Sequence, residues 1–140
     1  MNNSQEMLEA LNQQDLTRAE HYFQKALVED PDDLLLELAY YLEGIGFYPQ
    51  ARQIYEKLAP IFPEVNLNLA SIASEDGQIE EAFAYLEEIQ PNSDSYVSAL
   101  VLKADFYQME GLTDVARDKL LEALNYSDDP LLIFGLAELD

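Results

Sequence analysis

LLLELAYYLEGIGFYPQARQIYEKL, residues 34–58, decides the fold. Its first half places Leu34, Leu35, Leu38, Leu42 and Ile45 at intervals of three and four, which is one apolar face of an α-helix. Gly46 then permits a tight bend, and Pro49 suits the first turn of a following helix, where a missing N–H does no harm. The second half sets Ala51, Ile54, Tyr55 and Leu58 on another apolar face that must end before Pro63. The stretch predicts helix, turn, helix.

That unit recurs. An alanine, then an aromatic or leucine four residues on, then a small or aliphatic residue three further, appears as Ala19/Phe23/Ala26, Ala51/Tyr55/Leu58, Ala82/Leu86/Ile89 and Ala116/Leu120/Ala123, with lead alanines 32, 31 and 34 residues apart. A second ladder runs between them as Leu38-Ala39, Leu69-Ala70, Lys103-Ala104 and Leu136-Ala137, spaced 31, 34 and 33. Gly77 and Gly111 stand five residues ahead of their lead alanines, as Gly46 does. Gln14 holds that place in the first unit, so a differently closed turn is expected there. Thr17 with Glu20 predicts a capping box opening the helix that follows.

Asp30-Pro31-Asp32-Asp33, Pro63-Glu64, Pro91-Asn92-Ser93-Asp94 and Ser127-Asp128-Asp129-Pro130 read as helix punctuation, with most acids expected at helix N-termini. Self-similarity at this period predicts a helical repeat array. Its units fall at about 1–31, 32–63, 64–93 and 94–127, and a ninth helix opens a partial fifth unit over 128–140. No stretch alternates with period two for the length of a strand, so one all-α domain is expected. Methyl-sized alanines let paired helices approach closely, while Phe, Tyr and Leu fill the space between pairs.

With 28 Asp+Glu against seven Lys+Arg, the chain carries a formal charge of −21. Such a surface repels phosphate backbones and anionic lipid, which argues against nucleic-acid and membrane partners. The absence of cysteine excludes disulfides, thiolate metal sites and a Cys nucleophile. No apolar run approaches the roughly 20 residues of a membrane span, and Met1–Glu6 lacks the basic and apolar regions of a signal peptide, so the cytoplasm is the expected location.

The repeat resembles the tetratricopeptide repeat, a 34-residue helix–turn–helix with a small residue in its first helix, an alanine and an aromatic in its second, and a closing proline. Pro31 and Pro63 match that proline; Asp94 and Asp128 replace it later, with Pro91 and Pro130 nearby. The family's early tryptophan is replaced by Leu35, Asn66, Leu100 and Ile133, and its usual leucine by Lys103 in the fourth unit. Pentatricopeptide arrays bind RNA, which −21 opposes, and HEAT-type units are longer, at about 40 residues or more. The resemblance implies a right-handed α-solenoid of about four units plus the ninth helix.

It also implies that first helices line a concave groove: Leu36, Tyr40 and Glu43 in the second unit, Leu67, Ser71, Ser74 and Glu75 in the third, and Val101, Asp105, Gln108 and Met109 in the fourth, with Phe134 and Glu138 added by the ninth helix. Second helices and their turns carry 11 acids and six bases, whereas the remainder carries 17 acids and one base, Lys103. The groove side is therefore expected to be the more negative. An apolar floor studded with carboxylates suits a basic or amphipathic segment of a protein partner. The alternative for Leu36, Leu67, Val101 and Phe134 is plain packing between neighbours. A subclass of the family clamps acidic tails with basic residues, but the corresponding positions are Ser4, Leu8, Glu37, Glu64 and Asn68, none of them basic.

Leu132, Ile133, Phe134, Leu136 and Leu139 crowd the last eleven residues, too many for one face. Either a further helix of a longer array covers them, or a second copy does so in a homodimer. Chemistry is not expected. His21 has no Ser-His-Asp surroundings, and Asp30, Asp32 and Asp33 lack the glycine and the twelfth-position Glu of a calcium loop, Tyr41 standing there instead. Nor do the glycines form a phosphate loop. No metal, cofactor or catalytic residue is expected; the expected role is a non-catalytic protein-interaction scaffold, with an assembly role as its alternative.

Overall fold

Each repeat turns on one residue in the left-handed backbone region. In the computed structural model, which describes residues 1–139, these are Gln14 (φ 61°), Gly46 (φ 88°), Gly77 (φ 76°) and Gly111 (φ 80°). The hydrogen bonds around all four are the same. At Gly46, its N–H donates to the Glu43 carbonyl (3.1 Å) and the Phe47 N–H reaches back to Leu42 (2.9 Å). At Gln14, the corresponding bonds run to Leu11 (3.0 Å) and from Asp15 to Ala10 (2.9 Å). This is a Schellman closure, which satisfies carbonyls left open at a helix C-terminus. The different turn expected at Gln14 is thus not found; a side chain is held where glycine sits in the other three.

Among the described residues the chain forms nine α-helices and no strand: α1 Asn3–Asn12, α2 Leu16–Glu29, α3 Asp32–Gly44, α4 Tyr48–Leu58, α5 Val65–Glu75, α6 Ile79–Glu87, α7 Tyr96–Met109, α8 Thr113–Ala123 and α9 Pro130–Glu138. Asp140, the last residue of the expected fifth unit, lies outside the described residues. The helices pack in sequential pairs, α1 on α2, α3 on α4, α5 on α6 and α7 on α8. They group into two compact units that divide after Phe62.

In the first unit, α1–α4 bury Met7, Phe23, Leu35, Leu42, Ile54, Tyr55 and Leu58 around Ala10, Ala19, Ala26, Ala39 and Ala51. The cap of α2 is Asp15, whose carboxylate accepts from the Arg18 N–H, so Thr17 lies inside the helix and the expected capping box is not made. Asp30 does not cap the helix after it. Its carboxylate accepts from the Ser4 N–H (3.2 Å), the Ser4 hydroxyl (2.6 Å) and Asn3 Nδ2 (3.1 Å), tying the end of α2 to the positive end of α1. Asp32 and Asp33 do occupy the first turn of α3, as expected.

In the second unit, α5–α9 build two apolar clusters that share α7. Ala99 and Phe106 join Ala70, Ala73, Ala82, Leu86 and Ile89, while Leu100 and Ala104 join Ala116, Leu120, Ala123 and Leu132. A helix sandwiched in this way needs apolar residues on two faces and loses the one-sided pattern of a surface helix. Asn66, in the place of the family's tryptophan, is buried and donates its amide to the Pro63 carbonyl (3.0 Å), bracing the first turn of α5.

Two outcomes test this account. Nothing lies within 4 Å of a Cβ built at Gly46, so Gly46→Ala should lose about 1 kcal/mol through backbone strain alone, whereas Gln14→Gly should gain up to about that amount. Urea unfolding of both variants measures the pair. Ala82 is fully buried between paired helices, so Ala82→Leu should lower stability by about 1–3 kcal/mol through overpacking; an unchanged melting temperature would refute that packing.

Candidate protein-interaction surfaces

In the first compact unit, the groove residues expected of the second repeat lie on α3 and divide in role. Leu36 and Glu43 are half-buried, whereas Tyr40 is 46% exposed. Glu43 is not simply a carboxylate offered to solvent. The phenol of the fully buried Tyr55, on α4, donates to its Oε1 at 2.6 Å, and the Tyr40 ring lies 6.0 Å from the Tyr55 ring. Burial, and then the hydrogen bond to Glu43, raise the Tyr55 pKa and hold the phenol protonated. Tyr55 thus braces both Tyr40 and Glu43, an aromatic ring and an acid three residues apart on α3. Ser4, one of the positions where a basic clamp would stand, is buried and committed to Asp30.

The second unit contains a cavity of about 560 Å³. It brings together Leu67 of α5, Val101, Asp105 and Gln108 of α7, and Leu132, Glu138 and Leu139 of the α9 region. Residues assigned from sequence to two separate surfaces, groove and chain end, thus share one site. Ser71 and Ser74 are half-buried and Glu75 is exposed on α5, while Met109 is 71% exposed; none of these four lines the cavity. Leu132 belongs to the core and Leu136 packs against it, so the open apolar face of α9 consists of Ile133, Phe134 and Leu131. Sequence reasoning missed Val97, Leu131, Asp129 and Gly135 as lining. Val97 was recoverable, lying one helical turn before Val101.

The electrostatics are one-sided. The three bases of this unit are paired elsewhere: Lys103 with Glu87 (2.8 Å), Arg117 with Asp114 (3.1 Å) and Lys119 with Glu122 (3.5 Å). Lys103, substituted for an apolar residue in the repeat, is only 7% exposed, and its ion pair with α6 accounts for its burial. The cavity is lined by Asp105, Asp129 and Glu138 and by no lysine or arginine. Asp129 caps α9 by accepting from the Leu131 N–H (3.0 Å). Partial burial raises the Asp105 pKa. His21 is exposed with its ring edge-on to Tyr22 at 5.1 Å. Among the described residues no group of three or more His, Cys, Asp and Glu is placed to hold a metal ion, and no helix is long and apolar enough to cross a membrane.

Tyr55→Phe removes a hydrogen bond to a charged acceptor and should destabilise the chain by about 1–2 kcal/mol in chemical denaturation. At Asp105 the folded pKa lies above the unfolded one, so ionisation opposes folding. That penalty is complete above the folded pKa and vanishes below the unfolded value of about 3.9. Asp105→Asn should therefore raise stability slightly at pH 7, by less than about 1 kcal/mol in chemical denaturation given solvent screening, and should have no effect near pH 3.

No family model matches the chain. Its sequence is similar to the TPR repeat-containing protein YpiA of Bacillus subtilis (strain 168), with 32% identity over 116 residues that make up 80% of this chain and 27% of that protein. The chain thus spans roughly a quarter of this curated relative's length. The fold is similar to the crystal structure of TTC0263, a thermophilic TPR protein of Thermus thermophilus, with a TM-score of 0.62 and 20% identity, covering 98% of this chain and 79% of that one. It is also similar to the MamA RS-1 ArsTM double mutant, with a TM-score of 0.63 and 16% identity, covering 95% and 78%. The in-phase alanine ladder, the four identically closed helix pairs and these likenesses agree: the chain belongs to the tetratricopeptide-repeat family of all-α repeat proteins.

Proposed function

We propose that this chain is a non-catalytic protein-interaction module that binds a basic or amphipathic segment of a partner protein on the first helices of its repeats. Tetratricopeptide-repeat proteins are in general interaction modules; the nature of the partner is inferred from this chain's own surfaces. The observation that carries it is the second-unit cavity, whose floor is apolar and whose only charged lining groups are acids. Tyr40 and Glu43, both braced by Tyr55, offer the same chemistry in the first unit, an aromatic ring and a carboxylate. A net charge of −21 adds long-range attraction for cationic partners and repels nucleic acid. A reducing, cytoplasmic setting suits a chain without cysteine.

A second reading, assembly through α9, draws on the exposure of Leu131 (70%), Ile133 (60%) and Phe134 (61%). A second copy or a continuing repeat would cover this face.

Fluorescence anisotropy with labelled peptides tests the first reading. A lysine-rich amphipathic peptide should bind at low salt at least about 10-fold more tightly than an acidic-tail peptide, and weaken as salt rises. Reversing charge with Asp105→Lys and Glu75→Lys together should reduce that preference. Stronger binding of the acidic tail to the parent chain would overturn the proposal. Light scattering that shows a dimer abolished by Phe134→Glu would favour assembly instead.

A further inference from the structure

We propose that the second-unit cavity seats one turn of a partner's basic amphipathic helix, with two apolar side chains on its floor and a lysine or arginine against Asp105 and Glu138. This rests on the reading of the chain as a binder of basic segments, and it names the site and the occupant. Size is the first consideration. At about 560 Å³ the cavity falls among pockets that enclose whole ligands of roughly 300–1,000 Å³, so more than one side chain must enter to fill it. Neighbouring apolar side chains on one face recur at three and four residues in a helix. A helix also satisfies its own backbone groups, whereas an extended segment would have to find side-chain or water partners for them, and among the described residues no strand offers an edge.

Charge specifies the rest. The bases of this unit lie in ion pairs outside the cavity, so nothing within the lining neutralises Asp105 or Glu138. Leu131 lines the cavity yet is 70% exposed, an apolar shoulder that an occupant longer than the cavity would cover. A second copy of the chain is the wrong occupant: it brings a further −21, and its α9 carries Glu138 and no base. Gly135 contributes no side chain to this space. It lines the cavity from within α9, where its Cβ would meet only Leu120 Cδ1, at 3.4 Å.

The test uses the whole chain and two labelled synthetic peptides of about sixteen residues, one with leucines at helical spacing and lysines elsewhere, the other a scrambled isomer of equal charge. The parent should prefer the amphipathic helix by about 10-fold or more, as burial of an apolar anchor predicts. Gly135→Leu fills the cavity and should abolish that preference while leaving weak, salt-sensitive binding of both peptides; Val101→Phe, a different fill, should do the same. Circular dichroism melts establish that each variant is folded. Asp105→Asn combined with Glu138→Gln should weaken both peptides by about 3- to 10-fold and flatten the salt dependence. If both filled variants keep the preference, the helix lies elsewhere and this proposal fails while the general reading stands. If neither peptide binds the parent at low salt, both fail. A parent dimer lost on filling the cavity would assign the site to a second copy and overturn the proposal.

Discussion

Close approach of two helices through a methyl-sized contact is the constraint on which the rest of the structure depends. A buried alanine, Ala19, Ala51, Ala82 or Ala116, sits five residues after the one left-handed residue of each repeat. The turn reverses the chain within three residues, and the alanine lets the returning helix lie close against its partner. Neither device works alone. Without the left-handed residue the carbonyls ending the first helix lose their Schellman partners, and without the alanine the pair is forced apart. Gln14 shows how strong the requirement is. The packing holds a non-glycine residue in the same conformation, against its steric preference.

Given pairs built in this way, the larger side chains settle between them, and α7 shows the outcome most fully. One face carries Ala99 and Phe106 into one cluster; another carries Leu100 and Ala104 into the next. Phe83 lies edge-on to Phe106 at 5.7 Å and tilted against Tyr107 at 4.7 Å, so aromatic contacts reinforce the join of α6 to α7. α9 is held differently. Leu132, Leu136 and Leu139 pack on the second cluster, but the helix leaves room beside α7, and that room is the cavity. The cavity is thus a by-product of stacking, lined by what α5, α7 and the α9 region carry on the side their partners do not cover. Bases committed to Glu87, Asp114 and Glu122 leave it acidic.

The helices, their pairing and their approximate bounds were legible in the sequence, because repetition multiplies a weak signal. One alanine and one glycine mean little, whereas four sets in phase leave a single architecture. Local chemistry was less legible. Thr17 matched a capping box that Asp15 pre-empts, and Asp30 matched a cap for the next helix but turns back to Ser4 and Asn3, because caps are decided by which donor lies within reach in space.

Composition and periodicity by themselves determined that the chain is all-α, repeated at 31–34 residues, acidic and without cysteine, since each of these follows from residue identity and spacing along one chain. The family resemblance, not composition or periodicity, assigned Leu67, Val101, Asp105 and Gln108 to exposed first-helix faces. Tertiary packing decided what those faces do. It joined them to Leu132 and Leu139 in one cavity, bound Glu43 to the Tyr55 phenol, buried Lys103 beside Glu87 and left Ile133 and Phe134 in solvent. The physical reason is that period gives a side chain's angle around its own helix, whereas burial and partnership depend on how near the next helix comes, and that distance is set jointly by residues far apart in the chain.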